Sequence, residues 1–598
     1  MRQFPTAAIS KALGGSSSRA LPIGAGSANY HSNSQIWWWW QVRDSARTRT
    51  TYRRGLGCCL IRPRQRASVD ARGIHNHGFD KSEIGNTIYA LATAPGRAAI
   101  AVVRVSGPGC LNIYSSLCPS RPPPIPRKAT LRTIYRPNSP KLEILDPGAL
   151  ILYFPAPNSH TGEDVLELHL HGGPAIIRAV LTSISALSTP QHPIRPAGPG
   201  EFTRRAFGNN RLTLPQIEAL GDTLSAETEQ QRKLSVQAAT SGLGDKYELW
   251  RRMLLAARGE LEAIIDFSED QQFETSPAEM CGNVVSLVQG LKPLLKLHVD
   301  NAMRGELLRS GISLALVGAP NAGKSSLLNR VVGREAAIVS GEAGTTRDVV
   351  DLSVDIGGYM VRLADTAGLR KAKLAGEIEK EGMRRAKKRV QDSHVVIAVL
   401  SIEETTDNTD GEETPYLSIP NEVLEILREA QTLNKHILIA VNKTDLLHHS
   451  LPPSQTLPQH LLGQIKTLIP TLPQTHIHGI TCTHSSPDDG IQPLLSSLTK
   501  IFAKMTSADN DTSLADGDYD AIGATDRQRR LLEDCIAYLD AFLVRIAGGE
   551  DGEADVVVAA EELRFAAGCL AQITGKGEGS GDVEEVLGVV FEKFCVGK

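Results

Sequence analysis

The sequence has 598 residues, of which 41% are hydrophobic and 22% are charged. At roughly 100 to 200 residues per domain, this length predicts three or four globular domains and excludes a single small module. The ordinary balance of apolar and charged residues excludes a collagen-like or wholly disordered chain. The nine cysteines include no C-x-x-C pair. Neither a disulfide framework nor a zinc site is therefore indicated, and a reducing compartment fits.

The net charge of −3 conceals an uneven distribution along the chain. Residues 1–69 hold eleven Lys and Arg but one acid, whereas the rest hold 53 basic and 66 acidic side chains, a net charge of about −13. The basic, Ser-rich start is typical of a mitochondrial transit peptide, which we expect over residues 1–80 and which favours import into the matrix. A disordered basic arm is the alternative. The apolar runs are shorter than the ~20 residues that cross a bilayer, so no membrane span is expected.

The first part of the body has strand-like runs. They cover residues 87–92, 98–105, 149–154 and 165–170, with Pro and Gly between them, and predict a mixed α/β domain over 85–208. After Asn210 the apolar residues recur at helical spacing, over 212–224, 243–267 and 284–308. This pattern predicts the first half of a helical domain over 209–310.

Strands and helices alternate from residue 311 to about residue 504, which is typical of a doubly wound sheet. The acidic segment 505–525 is a predicted linker, and helical patterns return over 526–598. We therefore expect one helical domain built from two halves of the sequence, with an α/β domain inserted between them. Two segments of the insertion, 403–414 and 448–478, are expected to be surface excursions.

The strongest motif is Gly318-Ala-Pro-Asn-Ala-Gly323-Lys324-Ser325, which follows a predicted strand at 312–317 and precedes a predicted helix at 326–332. This is the P-loop pattern, in which glycines let backbone N–H groups face phosphates. Lys324 reaches the β and γ phosphates, and Ser325 is a ligand for Mg²⁺. The sequence therefore predicts a nucleotide-binding site.

Two later motifs specify the nucleotide. Asp365-Thr-Ala-Gly368 follows a predicted strand, and its residues suit the Mg²⁺ shell and the γ-phosphate. Asn442-Lys443-Thr-Asp445 ends another strand. A carboxylate at Asp445 accepts hydrogen bonds from N1–H and the 2-amino group of guanine, and adenine offers neither donor. GTP is therefore expected in preference to ATP.

The residue after the Asp-Thr-Ala-Gly motif is Leu369, where Ras-like GTPases place the Gln that orients the attacking water. Another group must take that role. Asn321 offers a neutral oxygen beside the phosphates, so we hypothesise that a monovalent cation held there supplies positive charge during hydrolysis.

The GTPase motifs and their flanking segments resemble the MnmE (TrmE) family of tRNA modification GTPases, from about Gly85 to the C-terminus. Outside the GTPase, the resemblance rests on Ala94-Pro-Gly-Arg97, the run from Thr161 to Leu168, His171-Gly-Gly173, the run from Pro199 to Phe207, and the terminal Phe594-Cys-Val-Gly-Lys598. It implies a multidomain α/β protein. Its parts are a mixed α+β N-terminal domain for folate binding and dimerisation, a discontinuous helical domain, and an inserted Ras-like P-loop GTPase domain.

The resemblance also implies an activity. In the family, GTPase domains of a homodimer approach each other when GTP and potassium are bound, and an FAD-containing MnmG-type protein is the partner. Together they modify carbon 5 of the wobble uridine (position 34) of mitochondrial tRNA, with 5-formyl- or methylene-tetrahydrofolate as the one-carbon source. The alternative is a regulatory GTPase of mitochondrial ribosome assembly. The acidic body and the lack of an evident basic RNA-binding module speak against it.

The resemblance also implies which residues of this sequence occupy the family's functional sites, by their positions in the matching motifs. The implied potassium ligands are Asn321, Ser340, Glu342 and Thr345, and the implied Mg²⁺ ligands are Ser325 and Thr346. The predicted GTP-binding residues are Asn321, Ala322, Gly323, Lys324, Ser325, Ser326, Ser340, Thr345, Thr346, Asp365, Thr366, Ala367, Gly368, Asn442, Lys443 and Asp445. Glu379 is implied to help orient the attacking water. The motif that supports guanine departs from the family, because Thr481-Cys482-Thr483 replaces a Ser-Ala-Lys-like triplet.

The folate site of the family carries over to Arg104, Glu167, Arg211 and Lys598. A carboxylate such as Glu167 can accept two hydrogen bonds from the amidine-like edge of a pterin, and Arg and Lys suit its anionic tail. Ordinary surface charges and salt bridges are the alternative interpretation of these residues.

Cys595 has three interpretations. It could mimic a prenylation site, although the final Lys and the Gly before it argue against this, or it could be an ordinary buried thiol. The resemblance implies instead a residue that the modification requires, beside the folate site.

Overall fold

The computed structural model describes residues 85–267, 277–332, 337–339, 352–363, 387–406, 413–447, 457–482, 489–507, 523–547, 555–576 and 597. The predicted transit segment, most of the predicted linker, and residues 577–596 and 598 of the second helical half lie outside these residues.

The N-terminal part is a sheet with helices on its faces. Its strands are β1 (Thr87–Leu91), β2 (Ile100–Ser106), β3 (Thr130–Tyr135), β4 (Ile144–Phe154), β5 (Val165–His171) and β6 (Ile194–Pro196), and its helices are α1 (Cys110–Leu117), α2 (Pro174–Ser185) and α3 (Glu201–Gly208). The strand order is β3-β4-β5-β2-β1-β6. All neighbours are antiparallel except β1 and β6, which are parallel.

Strand β1 is buried on both faces because its side chains alternate. Tyr89 joins the main core with α1 and α2, whereas Ile88 and Ala90 pack against Phe202 of α3 on the other face. Arg104 of β2 lies opposite Ala90 in the register, so it belongs to the face that α3 covers. Its guanidinium carbon is 5.9 Å from the centre of the Phe202 ring. Helix α3 thus forms one wall beside the Arg104 side chain.

The helical part draws on both sides of the insertion. Its first helices are α4 (Leu214–Ser225), α5 (Glu229–Thr240), α6 (Leu243–Phe267) and α7 (Pro277–Ser310). After the inserted part, whose described helices α8 to α11 are given below, come α12 (Asp526–Ile546) and α13 (Val556–Thr574). Apolar side chains of α6, α7, α12 and α13 share one buried core, for example Leu254, Leu295, Phe542 and Leu563. Two distant stretches of sequence therefore complete a single hydrophobic core.

The inserted part is a doubly wound sheet. Its strands are β7 (Ile312–Val317), β8 (Ala337–Ile338), β9 (Leu352–Ile356), β10 (Tyr359–Leu363), β11 (Val395–Thr406), β12 (Glu413–Ser418), β13 (His436–Asn442) and β14 (Ile477–Gly479). Its helices are α8 (Lys324–Arg330), α9 (Asn421–Thr432), α10 (Gln459–Leu468) and α11 (Ile491–Thr506).

The strand order is β14-β13-β11-β7-β10-β9-β8, with β12 paired to β11. Strands β14, β13, β11, β7 and β10 are parallel to their neighbours in that order, whereas β8, β9 and β12 pair antiparallel. Helices α8 and α11 pack on one face and α9 and α10 on the other. The doubly wound architecture expected from the alternating pattern is confirmed.

Of the two expected surface excursions, the second was wrong in part. The segment around 403–414 extends β11 to Thr406, and β12 pairs with it in an antiparallel hairpin. In the second segment, Leu461 and Ile465 of α10 are buried in the core, and β14 completes the sheet edge. The prolines and histidines around α10 obscured a short apolar period, and these apolar residues are buried against the sheet.

Arg309 lies where the chain passes from α7 into the inserted part. Its Nε donates to Asp222 Oδ2 of α4 at 2.7 Å, and its Nη1 and Nη2 donate to the carbonyls of Ala524, at 2.6 Å, and Gly523. Gln231 of α5 donates to the Arg309 carbonyl at 3.0 Å. The Arg309 side chain therefore links the two segments that enter and leave the inserted part to helix α4 of the helical part. In the described part of the chain, no helix is both long and apolar enough to span a membrane.

Candidate functional site

The loop between β7 and α8 has the backbone that a P-loop requires. Asn321 and Gly323 have φ angles of 62° and 97°, in the left-handed region. A side chain at Gly323 would also collide with the Asn442 amide nitrogen, and one at Gly318 would collide with the Val399 carbonyl. Both glycines are thus needed, because the loop packs directly on Val399 of β11 and on Asn442 at the end of β13.

Lys324 opens α8 and folds back onto this loop. Its Nζ donates to the carbonyls of Gly318 at 2.8 Å and Ala319 at 2.6 Å. Burial lowers the pKa of Lys324, and the positive charge of Arg389 lowers it further. An anion beside the ammonium group would offset both effects, which is what a nucleotide phosphate provides.

The turn after β13 has acceptors suited to guanine. Asn442 Nδ2 donates to the Ala322 carbonyl at 2.9 Å, which fixes the turn to the P-loop. Asn442 Oδ1 and Asp445 Oδ1 are buried and have no hydrogen-bond partner within the described residues. A buried acceptor left unpaired costs about 1–3 kcal/mol. The N–H groups of a guanine base would remove that cost at Asp445, so the residues fit the nucleotide.

The altered support motif is held by hydroxyl groups. Thr444 Oγ1 lies 2.8 Å from Thr481 Oγ1, and the Thr444 backbone N–H donates to the Ile480 carbonyl at 3.3 Å. Burial raises the pKa of Cys482 to about 11, against the lowering effect of Arg330, so this thiol stays protonated near neutral pH. Thr481 thus connects the segment after β14 to the guanine-binding turn.

Several predicted residues lie outside the described residues, and their predicted roles are untested: Ser340, Glu342, Thr345, Thr346, Asp365, Thr366, Ala367, Gly368, Glu379, Cys595 and Lys598. The structure brings together the predicted residues of the P-loop with Asn442, Lys443 and Asp445. Ser325 and Ser326 occupy the first turn of α8.

A second group of charged residues lies on the N-terminal sheet. Arg104 and Glu167 face each other in the register of β2 and β5. Arg104 Nε and Nη2 contact Glu167 Oε1 at 3.0 and 2.9 Å, and the two side chains are only 19% and 12% exposed. Burial by itself would raise the pKa of Glu167, but His169 and Arg104 outweigh it and the pKa is lowered. Glu167 is therefore an ionised acceptor at neutral pH.

The sequence analysis missed two histidines beside this pair. His169 Nε2 lies 3.4 Å from Glu167 Oε2. The period of two along β5 could have found His169, because it shares a face with Glu167. Burial lowers the pKa of His160 to about 4, and the positive charges of Arg104 and Arg211 act in the same direction. His160 is therefore neutral near pH 7, but its loop carries no periodic signal that points to this site.

The C-terminus approaches the same part of the molecule. Gly597 is buried with a φ of 99°, and a side chain there would collide with the Leu91 carbonyl and lie within 3.0 Å of Ala92 Cα. Leu91 ends β1, the strand that pairs with Arg104 of β2. Arg211 follows α3, and its backbone N–H donates to the Ala206 carbonyl at 2.8 Å. The penultimate residue therefore lies one strand from the Arg104–Glu167 pair.

Together, the P-loop, the guanine-binding turn and the doubly wound sheet define a GTP-binding P-loop domain inserted in a larger protein. Family models match on both sides of it. The model described as the GTP-binding protein TrmE N-terminus matches residues 87–211, and the model described as the MnmE helical domain matches residues 214–595.

Full-length relatives agree with these matches. The tRNA modification GTPase MnmE of Paramagnetospirillum magneticum is 38% identical over 86% of this chain and 100% of its own length. The rat mitochondrial 5-taurinomethyluridine-[tRNA] synthase subunit GTPB3 is 35% identical over 91% of this chain and 100% of its own. The fission yeast mitochondrial tRNA modification GTPase mss1 is 36% identical over 86% of this chain and 95% of its own.

The chain therefore belongs to the MnmE (TrmE) family of tRNA modification GTPases. As a member, it is a mitochondrial GTP hydrolase that acts in tRNA modification. The family resemblance expected from the sequence motifs is confirmed.

Proposed function

We propose that this protein couples GTP hydrolysis to modification of carbon 5 of the wobble uridine of tRNA in the mitochondrial matrix. It acts as a homodimer with an FAD-containing MnmG-type protein and takes a one-carbon unit from 5-formyl- or methylene-tetrahydrofolate. The observation that carries the proposal is the close approach of Gly597 to the end of β1, because β1 pairs with the strand that holds Arg104.

The N-terminal site supports the folate part of the proposal. Glu167 is ionised and largely buried, which suits the paired N–H donors of a pterin ring. Arg104, Arg211 and Lys598 supply positive charge, which favours an anionic tail such as the glutamate of a folate. A bound folate supplies the one-carbon unit, and these residues bind and orient it.

The GTPase site supports the nucleotide part. Asp445 selects guanine, Lys324 and the loop N–H groups bind the phosphates, and Ser325 with Thr346 would hold Mg²⁺. Asn321, Ser340, Glu342 and Thr345 would hold potassium, whose charge stabilises the transition state where other GTPases use an arginine. Glu379 would orient the attacking water. Equal hydrolysis rates in KCl and NaCl would contradict the potassium site.

The proposal is tested by nucleoside mass spectrometry of mitochondrial tRNA from cells that lack the protein. The cells are rescued with the intact chain, with Cys595→Ser or with Asp365→Ala. Loss of one modified wobble uridine, restored by the intact chain alone, is expected, and its mass identifies the group that is added. Unchanged uridines together with altered ribosome profiles on gradients would favour the ribosome-assembly alternative instead.

A further inference from the structure

The Arg104–Glu167 site contains one polar atom that the proposed function leaves without a role. His169 Nε2 is buried and makes no hydrogen bond to any part of the chain that the structure describes. It lies 3.4 Å from Glu167 Oε2, close enough for electrostatic attraction but outside hydrogen-bonding geometry. A buried donor without an acceptor is costly, so a ligand that completes it is favoured.

The position of His169 follows from the strand. It comes two residues after Glu167 on β5, so both side chains extend from the same face of the sheet. Val102 of β2 and Leu150 of β4 flank His169 in the register, and both are half-buried. The polar atoms are therefore bordered by apolar surface, as in a pocket for a flat heterocycle.

The two side chains present a defined order of hydrogen-bonding atoms. Arg104 uses both of its contacts on Glu167 Oε1, so Oε2 keeps acceptor capacity. The nearby carboxylate favours the tautomer of His169 that carries its hydrogen on Nε2. The order is then a donor at His169 Nε2 followed by the acceptor lone pairs of Glu167 Oε2.

A 2-amino-4-oxo pteridine has the complementary order along one edge. Its 4-oxo group is an acceptor, and its N3–H and 2-amino groups are donors. In a 4-amino analogue the first group becomes a donor and N3 becomes an acceptor. The 4-amino group would then face the Nε2–H donor of His169. Glu167 Oε2, an acceptor, would face the lone pair on N3.

We propose that His169 is a specificity-determining residue that makes this site select 4-oxo over 4-amino pteridines, by donating from Nε2 to the 4-oxo group. The inference deepens the folate part of the proposed function and rests on it. It adds a third contact to the two that Glu167 accepts.

The test uses the full-length protein and a pair of ligands that differ at carbon 4 alone, folic acid and 4-amino-4-deoxyfolic acid. Dissociation constants are measured by calorimetry for the wild type, His169→Leu and His169→Gln. The wild type is expected to prefer the 4-oxo ligand by roughly 10- to 100-fold, and His169→Leu is expected to reduce the preference to within about threefold. His169→Gln keeps an N–H donor and is expected to restore most of it.

Two controls separate the possible failures. His192→Leu changes an exposed histidine away from the site and should leave the preference unchanged. GTP hydrolysis by each variant should equal that of the wild type, which shows that the inserted part is folded. A preference that survives in His169→Leu, or one that is absent from the wild type, overturns the role of His169. If the wild type binds neither these ligands nor 5-formyltetrahydrofolate, the folate part of the proposed function fails with it.

Discussion

The guanine-binding turn and the Arg104–Glu167 site both depend on a carboxylate, but the chain builds them differently. Asp445 lies in a short turn after one strand, and its Oδ1 is buried without a partner in the described residues. Glu167 lies within a strand and is held by Arg104, which is 63 residues away in sequence. The turn, which consists of contiguous residues, therefore leaves the Asp445 acceptor available for the ligand. A site assembled across strands uses part of its carboxylate to hold itself together.

The largest effect is expected at the turn, from Asp445→Asn. The amide would place a donor opposite the N–H groups of guanine, so GTP affinity should fall on the order of 10³-fold. Xanthosine triphosphate has a 2-oxo group in place of the amine and should regain part of that affinity. Equilibrium binding of both nucleotides measures the change. Equal losses for the two nucleotides would mean that Asp445 does not contact the base.

The next effect is expected from Gly323→Ala. The φ of 97° and the collision with Asn442 would displace either the loop or the turn, and we expect GTP affinity to fall on the order of 10²-fold. Gly463→Ala is the matched control, because it lies in α10 with nothing near its added methyl group. The control should bind GTP normally. Normal binding by the P-loop variant would show that the loop and turn are not coupled.

A smaller effect is expected on the N-terminal sheet, from Glu167→Gln. Arg104 would lose its charged partner, and we expect β2 and β5 to lose about 1–2 kcal/mol of local stability at pH 7. The pKa of Glu167 is lowered in the folded state, so its contribution is present above the unfolded pKa and is lost as the pH falls through the folded value.

The difference between wild type and this variant should therefore shrink below about pH 4.3. Hydrogen exchange of peptides that cover the two strands measures it. The matched control is Glu561→Gln, which removes an exposed helix carboxylate paired with Arg564 and should not alter exchange in the sheet. A difference that is independent of pH would contradict the ionic account.

The smallest effect is expected from Thr481→Val, which removes the hydroxyl partner of Thr444. One hydrogen bond at the edge of the turn contributes about 1 kcal/mol, so GTP affinity should fall about three- to tenfold. Thr467→Val, on the exposed face of α10, is the control. A loss as large as that from Asp445→Asn would mean that Thr481 contacts the base itself.

Much of the fold followed from short-range patterns. The alternating elements of the GTPase part, the long helix α6 and the helices α12 and α13 all matched their apolar periods. Helix α10 did not, because its few apolar residues lie among polar ones and find their packing partners only on the folded sheet. Strand β3 and helices α1 to α3 also had no distinct signal, since short elements carry too few residues to define a period.

The sequence by itself determined the nucleotide chemistry and the family. P-loop geometry needs glycine at Gly323 and a lysine directly after it, and guanine selection needs one carboxylate in one turn, so contiguous residues suffice. Tertiary structure alone decided which residues join Glu167. Strand register brings Arg104 to it, and the returning chain places Gly597 at the end of β1. These contacts are long-range, and packing and strand pairing rather than local propensity select them.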